Sequence, residues 1–258
     1  MNLADITPLI LTYNEAPNLR RCLEKLRWAG RVVVLDSGST DGTAAIAAEF
    51  ANVELLTRPF DDHTSQWNHG LDQVVTPWVL ALDADYVLEP GFVDKIAGLP
   101  DDMTCDAYFA SFRYLVFGRA LRACLYPPRA VLFRRERCAY IQDGHTQLLR
   151  IPGGSKHLQA RIDHDDRKPL ARWLVSQDNY ARLEAVKLLA LPRSELHLQD
   201  RIRRVVVAAP WLVFFYTLIW RGTLLDGWHG WFYAFQRLLA ELMLSLRLIE
   251  ARLNRSNR

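Results

Sequence analysis

Three short polar segments carry the side chains that could do chemistry. Leu82-Asp83-Ala84-Asp85 sets two carboxylates two residues apart, and in extended chain they project to the same side. Such a pair can hold a hard divalent cation. Magnesium takes one or two protein carboxylates and completes its shell with water and substrate phosphates, which suits a metal bound to a nucleotide diphosphate. In Asp36-Ser37-Gly38-Ser39-Thr40-Asp41-Gly42-Thr43, Asp36 can accept a hydrogen bond from a nucleobase imide or a ribose hydroxyl. Ser39, Thr40 and Asp41 there suit a helix cap, and Gly38 and Gly42 a tight turn. Thr12-Tyr13-Asn14-Glu15 is the third segment. An isolated Asp-x-Asp is commonly turn or capping chemistry, so position decides its meaning.

The elements around these segments supply that position. Residues 1–90 alternate short apolar runs, at 6–12, 31–36, 53–57 and 78–83, with stretches at 16–28, 41–51 and 64–74 whose apolar residues recur at three and four. This is the pattern of successive βα units around a parallel sheet. Each polar segment ends a strand, at the edge where open α/β sheets bind ligands, so three converging tips predict a nucleotide pocket. Runs at 107–116 and 130–133, broken by Gly118, Pro127-Pro128 and Pro152-Gly153-Gly154, read as mixed or antiparallel strands with long loops. Residues 169–190 predict one amphipathic helix.

The chain has 258 residues, half of them apolar, which is enough for a sizeable core and excludes collagen-like and low-complexity classes. Its formal charge of +3 gives no reason to expect a nucleic acid partner. Cys22, Cys105, Cys124 and Cys138 are scattered, without the spacing of a zinc site or a disulfide framework. No basic stretch followed by an apolar one opens the sequence, so a cytoplasmic site of action is expected.

Charge and aromatic residues concentrate late in the chain. Residues 193–258 hold ten Arg against five acids, and ten of the 28 aromatic residues fall between Trp211 and Phe235. The uncharged run 205–220 would reach about 24 Å as a helix, short of the roughly 30 Å hydrocarbon core, and Pro210 is expected to interrupt it. Aromatic rings with interspersed Arg fit a segment lying in the headgroup region; a buried helical hairpin or a dimer interface is the alternative. The expected division is a body over 1–192 and a helical, membrane-associating segment over 193–258.

Leu11-Thr12-Tyr13-Asn14-Glu15, Leu35 to Thr43 and Leu82-Asp83-Ala84-Asp85, in this order and at these separations, resemble the family 2 glycosyltransferases of the GT-A fold. Gln66-Trp67-Asn68-His69-Gly70-Leu71, Tyr126-Pro127-Pro128-Arg129, Leu132-Phe133-Arg134-Arg135, and Arg221-Gly222 with Leu225-Asp226-Gly227 resemble the subgroup of lipopolysaccharide core β-glucosyltransferases. The likeness is dense before residue 90 and looser after it. It implies an α/β class: a Rossmann-like mixed sheet of the nucleotide-diphospho-sugar transferase type, with a C-terminal helical, membrane-interfacial extension.

The resemblance also implies roles. Thr12 and Glu15 would line the uridine site, Asp36 would contact the uracil, and Asp83 would reach the ribose or donor sugar. Asp85 would hold Mg2+ or Mn2+ on the diphosphate, with His164 as a further ligand or else a surface histidine among acids. Arg129 would pair with the diphosphate or an acceptor phosphate, or form a structural ion pair. The base that takes the acceptor proton would be Asp143, with His145 as the alternative. The chain departs from the subgroup where His145 is followed by Thr146 instead of Glu. The activity implied is inverting, metal-dependent transfer of a hexose from a UDP-sugar to a membrane-associated glycan, lipopolysaccharide core, at the cytoplasmic face of the inner membrane. Polyprenyl phosphate or another lipid-linked acceptor, and a nucleotide-binding scaffold without turnover, are the rival readings.

Overall fold

The computed structural model describes residues 1–100, 102–143, 146–192 and 194–256. They divide into two compact units, Met1–Leu115 with Tyr126–Arg167, and Val116–Leu125 with Lys168–Arg258. The expected division after residue 192 falls inside the second unit, because the helix preceding it packs on the last helix of the chain.

In the first unit, β1 (Ile6–Thr12), β2 (Val32–Asp36), β3 (Val53–Thr57) and β4 (Trp78–Asp83) alternate with α1 (Leu19–Glu24), α2 (Thr43–Ala48) and α3 (His63–Asp72). β5 (Tyr86–Leu88), α4 (Phe92–Ala97) and β6 (Cys105–Val116) follow. The chain then runs through the second unit, which holds the two-residue β7 (Arg119–Ala120). It returns as β8 (Arg129–Arg134), β9 (Ala139–Asp143), β10 (Thr146–Arg150) and β11 (Gly154–His164). The sheet order is β3-β2-β1-β4-β8-β6-β11-β5, and β9 and β10 form a separate antiparallel pair. β1 to β4 are mutually parallel, whereas β8 runs antiparallel to both β4 and β6. The sheet is therefore mixed, as expected.

Strands β1, β2 and β4 are buried on both faces, which explains their unbroken apolar runs. Ile10, Val34 and Leu82 join Leu23, Leu26 and Phe92 on one face. Leu9, Val33 and Val79 join Trp67, Leu71 and Phe133 on the other. Gly70 is required where α3 crosses β1, since a Cβ there would lie 2.9 Å from the methyls of fully buried Leu9.

The second unit is helical: α5 (Leu170–Ala190), α6 (Leu198–Arg203), α7 (Ala208–Phe215) and α8 (Trp228–Ser256). Ala181, Ala185 and Leu188 of α5 pack with Leu244 and Leu248 of α8. Pro210 does not interrupt the apolar run. It occupies the first turn of α7, where its missing N–H costs nothing, and the helix continues as a π-helical turn over Tyr216–Trp220. Residues 116–125 are fastened by Arg122 N–H donating to Asp226 Oδ2 at 3.0 Å, Leu125 N–H to the Tyr233 hydroxyl at 2.9 Å, and Arg221 to the Cys124 carbonyl at 3.0 Å. Among the described residues no helix is long and apolar enough to cross a membrane.

Candidate active site

The carboxyl ends of β2, β1 and β4 lie side by side. Register pairs Thr12 with Asp36 and Leu11 with Asp83, so Asp36 and Asp83 flank β1, about 10 Å apart at two strand spacings. This is the switch point where the strands on either side of β1 lead away in opposite directions.

On the β2 side the loops are interlocked. Asp36 is buried, and its Oδ1 accepts from the Thr12 hydroxyl at 2.8 Å and the Ser39 hydroxyl at 2.5 Å. Its Oδ2 accepts from the N–H groups of Gly38 at 3.0 Å and Ser39 at 2.7 Å. A carboxylate offers about four acceptor sites, and this one uses four. Asn14, in a left-handed conformation at φ 54°, accepts the Thr40 N–H at 2.7 Å while its own N–H meets Ser39 Oγ at 2.7 Å. Glu15 donates its N–H to Thr43 Oγ1 at 2.7 Å, and its carboxylate accepts from Asn18 at 2.9 Å.

On the β4 side, β11 brings residues from far along the chain. Its antiparallel pairing with β5 sets His164 opposite Tyr86. His164 Nε2 then lies 3.1 Å from Asp85 Oδ2. The segment after β11 is pinned to α1, with Asn18 donating to Asp166 at 2.9 Å and Arg21 holding the Asp165 carboxylate and, at 2.8 Å, its carbonyl. The rings of Tyr126, Tyr114 and Tyr86 meet the imidazole edge-on at 4.8, 4.9 and 5.4 Å. Burial alone would lower the His164 imidazole, but Asp85 first, then Asp83 and Asp166, hold it above its ordinary value.

Asp83 and Arg129 line one cavity of about 250 Å3, walled by Trp67, Tyr86, Phe109, Tyr140 and Leu149. Tyr86 faces both this cavity and His164, and Tyr126 lies 4.8 Å from both the Arg129 guanidinium and the His164 ring. Arg129 forms no ion pair among the described residues, so its charge is available to an anion. Burial raises the Tyr86 and Tyr126 hydroxyls, with Asp83 adding to the effect, so both stay protonated.

Two ligands for a cation converge, Asp85 and His164, and no group of three or more His, Cys, Asp or Glu does so among the described residues. The pair fits a divalent cation. Two donor atoms 3.1 Å apart can share an edge of an octahedron with ligand distances of about 2.1 Å, leaving the remaining positions for water and phosphate oxygens. Asp85, an acceptor, favours a proton on His164 Nε2, whereas the buried Nδ1 has no hydrogen-bond partner among the described residues, so nothing there anchors the Nδ1–H tautomer that would free Nε2 for a cation.

The expected residues thus gather as Thr12 with Asp36, Asp83 with Arg129, and Asp85 with His164, while Glu15 braces its own loop. The Asp143 backbone ends β9, paired in register with Thr146, and His145 lies outside the described residues. Tyr86 and Tyr140 carry no signal in the sequence, and the roles of Tyr126 and of Gln66-Trp67-Asn68, both part of the resemblance, are not evident from it. Asn68 exchanges two hydrogen bonds with the backbone of Tyr140, at 2.9 and 3.0 Å, Trp67 stacks on its ring at 5.2 Å, and Gln66 donates to Ser37 Oγ at 3.0 Å. The run of uncommon polar residues beside Trp67 was the available signal.

Comparison with known proteins agrees with this arrangement. The lipopolysaccharide core biosynthesis glycosyltransferase LpsC of Rhizobium meliloti is 32% identical over 88 residues, 33% of each chain. The chain spans about a third of the length of the curated relatives it matches. Mannosyltransferase PcManGT of Pyrobaculum calidifontis, solved with GDP-Man and Mn2+, superposes with a TM-score of 0.53 at 15% identity, over 94% of this chain and 87% of its own. S. aureus TarS 1–349, solved with UDP-GlcNAc, gives 0.51 at 14% identity, over 97% and 92%. These likenesses establish the GT-A fold. The family described as Glycosyl transferase family 2 matches residues 9–143, just over half of the chain, from the middle of β1 to the end of β9. With all three polar strand ends inside that match, the chain belongs to glycosyl transferase family 2.

Proposed function

We propose that this chain is an inverting, divalent-cation-dependent glycosyltransferase that moves a hexose from a UDP-sugar to a membrane-associated glycan of the lipopolysaccharide core. The observation that carries the reading is the meeting of Asp85 with His164 beside the cavity shared by Asp83 and Arg129, with Tyr86 as their common wall. The name of the LpsC relative supports the acceptor class, and the UDP-GlcNAc complex of TarS supports a uridine donor.

In this reading the interlocked loops of Thr12, Glu15 and Asp36 form the bed for the nucleoside. Because Asp36 already accepts four hydrogen bonds, a uracil imide contacts it by exchanging with one of those donors. Asp83 orients the ribose or the sugar, and Arg129 pairs with the diphosphate through charge-assisted hydrogen bonds. Asp143 takes the proton from the acceptor hydroxyl as its oxygen bonds to the anomeric carbon. The bond from that carbon to the diphosphate breaks and UDP leaves. Asp85 and His164 would hold a divalent cation, Mg2+ or Mn2+, which would supply charge neutralisation at the diphosphate, so that UDP could leave without being protonated.

A lipid-bearing acceptor favours an enzyme stationed at the membrane surface. Trp211, Phe215, Ile219, Trp220 and Leu225 are all at least half exposed, more apolar surface than a soluble monomer usually shows. With Arg201 and Arg221 nearby in sequence, they suit peripheral contact with an anionic cytoplasmic leaflet. Washing membranes with concentrated salt should then leave much of the protein bound.

Time-resolved UDP release from purified protein with UDP-hexoses, Mn2+ or Mg2+ and lipopolysaccharide core acceptors tests the activity. Asp143→Asn should keep donor binding and abolish transfer, and Asp85→Ala should remove the metal-dependent part of donor binding. Turnover no higher than background with any acceptor would support a scaffold instead.

A further inference from the structure

The outward face of α8 is apolar where a surface helix is ordinarily polar. Its inward face is already used: Ala234, Glu241, Leu244 and Leu248 are buried within the second unit. Along a second stripe, Phe232, Leu239, Leu246 and Leu253 alternate with Trp228, Phe235, Leu242 and Ile249 at strict intervals of four and three, with Phe232 edging onto Phe117 and Phe235 stacked on Phe214 at its upper end. That is a repeat of 3.5 residues, the spacing of a and d positions in a left-handed coiled coil. Exposure follows the pattern: Trp228 is 84% exposed, Phe235 50%, and Leu246 64%, with Leu239, Leu242 and Ile249 between 37% and 39%.

We propose that this seam is a self-association surface and that its occupant is α8 of a second copy of the chain. Two observations favour a second helix over a lipid surface. An apolar helix lying on an anionic membrane is bordered by Lys and Arg, whereas the positions flanking this seam, Gln236, Leu238, Met243 and Glu250, hold no cation before Arg252 at its end. The area is also sufficient. At about 200 Å2 for a large apolar side chain, the exposed parts of Trp228 to Ile249 amount to roughly 600 Å2. Two copies would cover about 1,200 Å2, the size at which specific interfaces begin. From Trp228 to Ile249 the seam runs about 32 Å, three heptads, enough for knobs-into-holes packing along one continuous line. The proposal is independent of the transfer reaction, since it uses no residue of the active site.

The test is the mass of the full chain in detergent-free, high-salt buffer, by light scattering on a sizing column. The native protein should run at twice the 29.7 kDa of one chain. Leu246→Glu, and Leu242→Glu with Leu246→Glu, should halve the mass without changing the circular dichroism spectrum. Val186→Glu, an exposed position on α5, should leave the dimer intact. A native protein that is monomeric, or a double variant that stays dimeric, overturns the proposal. So does a monomer whose binding to phosphatidylglycerol vesicles is lost on Leu246→Glu, which would make the seam a lipid surface.

Discussion

Replacing Asn68 with Ala tests whether the β9 hairpin is positioned by α3. The Asn68 amide is the bridge: it donates to the Tyr140 carbonyl at 2.9 Å and accepts the Tyr140 N–H at 3.0 Å. Asn68→Ala deletes both bonds, each contributing about 1 kcal/mol net, and leaves two partly buried backbone groups without partners. A second tether survives, since Thr64 donates to Gln142 at 2.8 Å, so water reaches only part of the gap. The sum is a loss of about 2–4 kcal/mol, which in a domain of this size lowers the melting temperature by roughly 5–12 °C. Scanning calorimetry in matched buffers measures it. Tyr140 also walls the cavity of Asp83 and Arg129, and Asp143 follows three residues later, so transfer should fall more than stability at 25 °C accounts for. Asn68→Asp keeps the acceptor for the Tyr140 N–H but turns a negative oxygen toward its carbonyl. It should therefore be destabilised at neutral pH and recover as acid protonates the carboxylate. An Asn68→Ala protein within about 0.5 kcal/mol of native would show that the hairpin is held by other contacts, and the reasoning would fail.

Gly230 and Glu89 give two further expected outcomes. Gly230→Ala would set a methyl 1.7 Å from the Thr223 carbonyl oxygen, a backbone atom that cannot step aside, so α8 must shift. A loss of about 3 kcal/mol, seen as a lower urea midpoint, is expected, and an unchanged midpoint would mean that the start of α8 is placed differently. Glu89 closes β5 and accepts the Arg161 N–H at 2.9 Å and Lys95 at 3.0 Å. Burial pushes its carboxyl up, but these two donors outweigh burial and hold it below the ordinary glutamate value. A depressed carboxyl contributes stability above its unfolded pKa of about 4.3 and loses it as pH falls through the folded value. The stability gap between native and Glu89→Gln proteins should therefore close on acidification below that range, and a gap independent of pH would refute the assignment.

The first half of the molecule is readable because β1, β2 and β4 are buried on both faces and their short apolar runs are closed by turn residues. The runs at 6–12 and 78–83 are β1 and β4 to the residue, as is 53–57 for β3, which is only half-buried. The flanking helices came out shorter. α1 begins at Leu19, not at residue 16, because Pro17 and the Asn14 and Glu15 contacts hold the entry as a turn. Long-range partners were legible only through resemblance: nothing local in Asp163-His164-Asp165-Asp166 says that β11 will pair with β5 and carry His164 to Asp85. The tyrosines around His164 come from three separated strands and loops; only Tyr126 belongs to a recognised segment, and nothing in that segment points to His164. In the second unit the uncharged run 205–220 and the aromatic residues from Trp211 to Phe235 stand out in the sequence, but the division into α7, a π-helical turn and α8 depends on packing that periodicity does not record.

The excursion of residues 116–125 bears on how the two units could be separated. The polypeptide crosses from one to the other at 115, at 125 and again at 167, so they are stitched by three passages and not joined by a single hinge. Ending the chain at Arg167 would excise α5 to α8 yet leave the ten-residue loop behind, stripped of Asp226, Tyr233 and Arg221 and still displaying Phe117. Isolating the first unit therefore calls for a short bypass from Leu115 to Tyr126 as well as a stop codon. An insoluble fragment made without that bypass would reflect the severed stitch and not a sheet unable to fold alone.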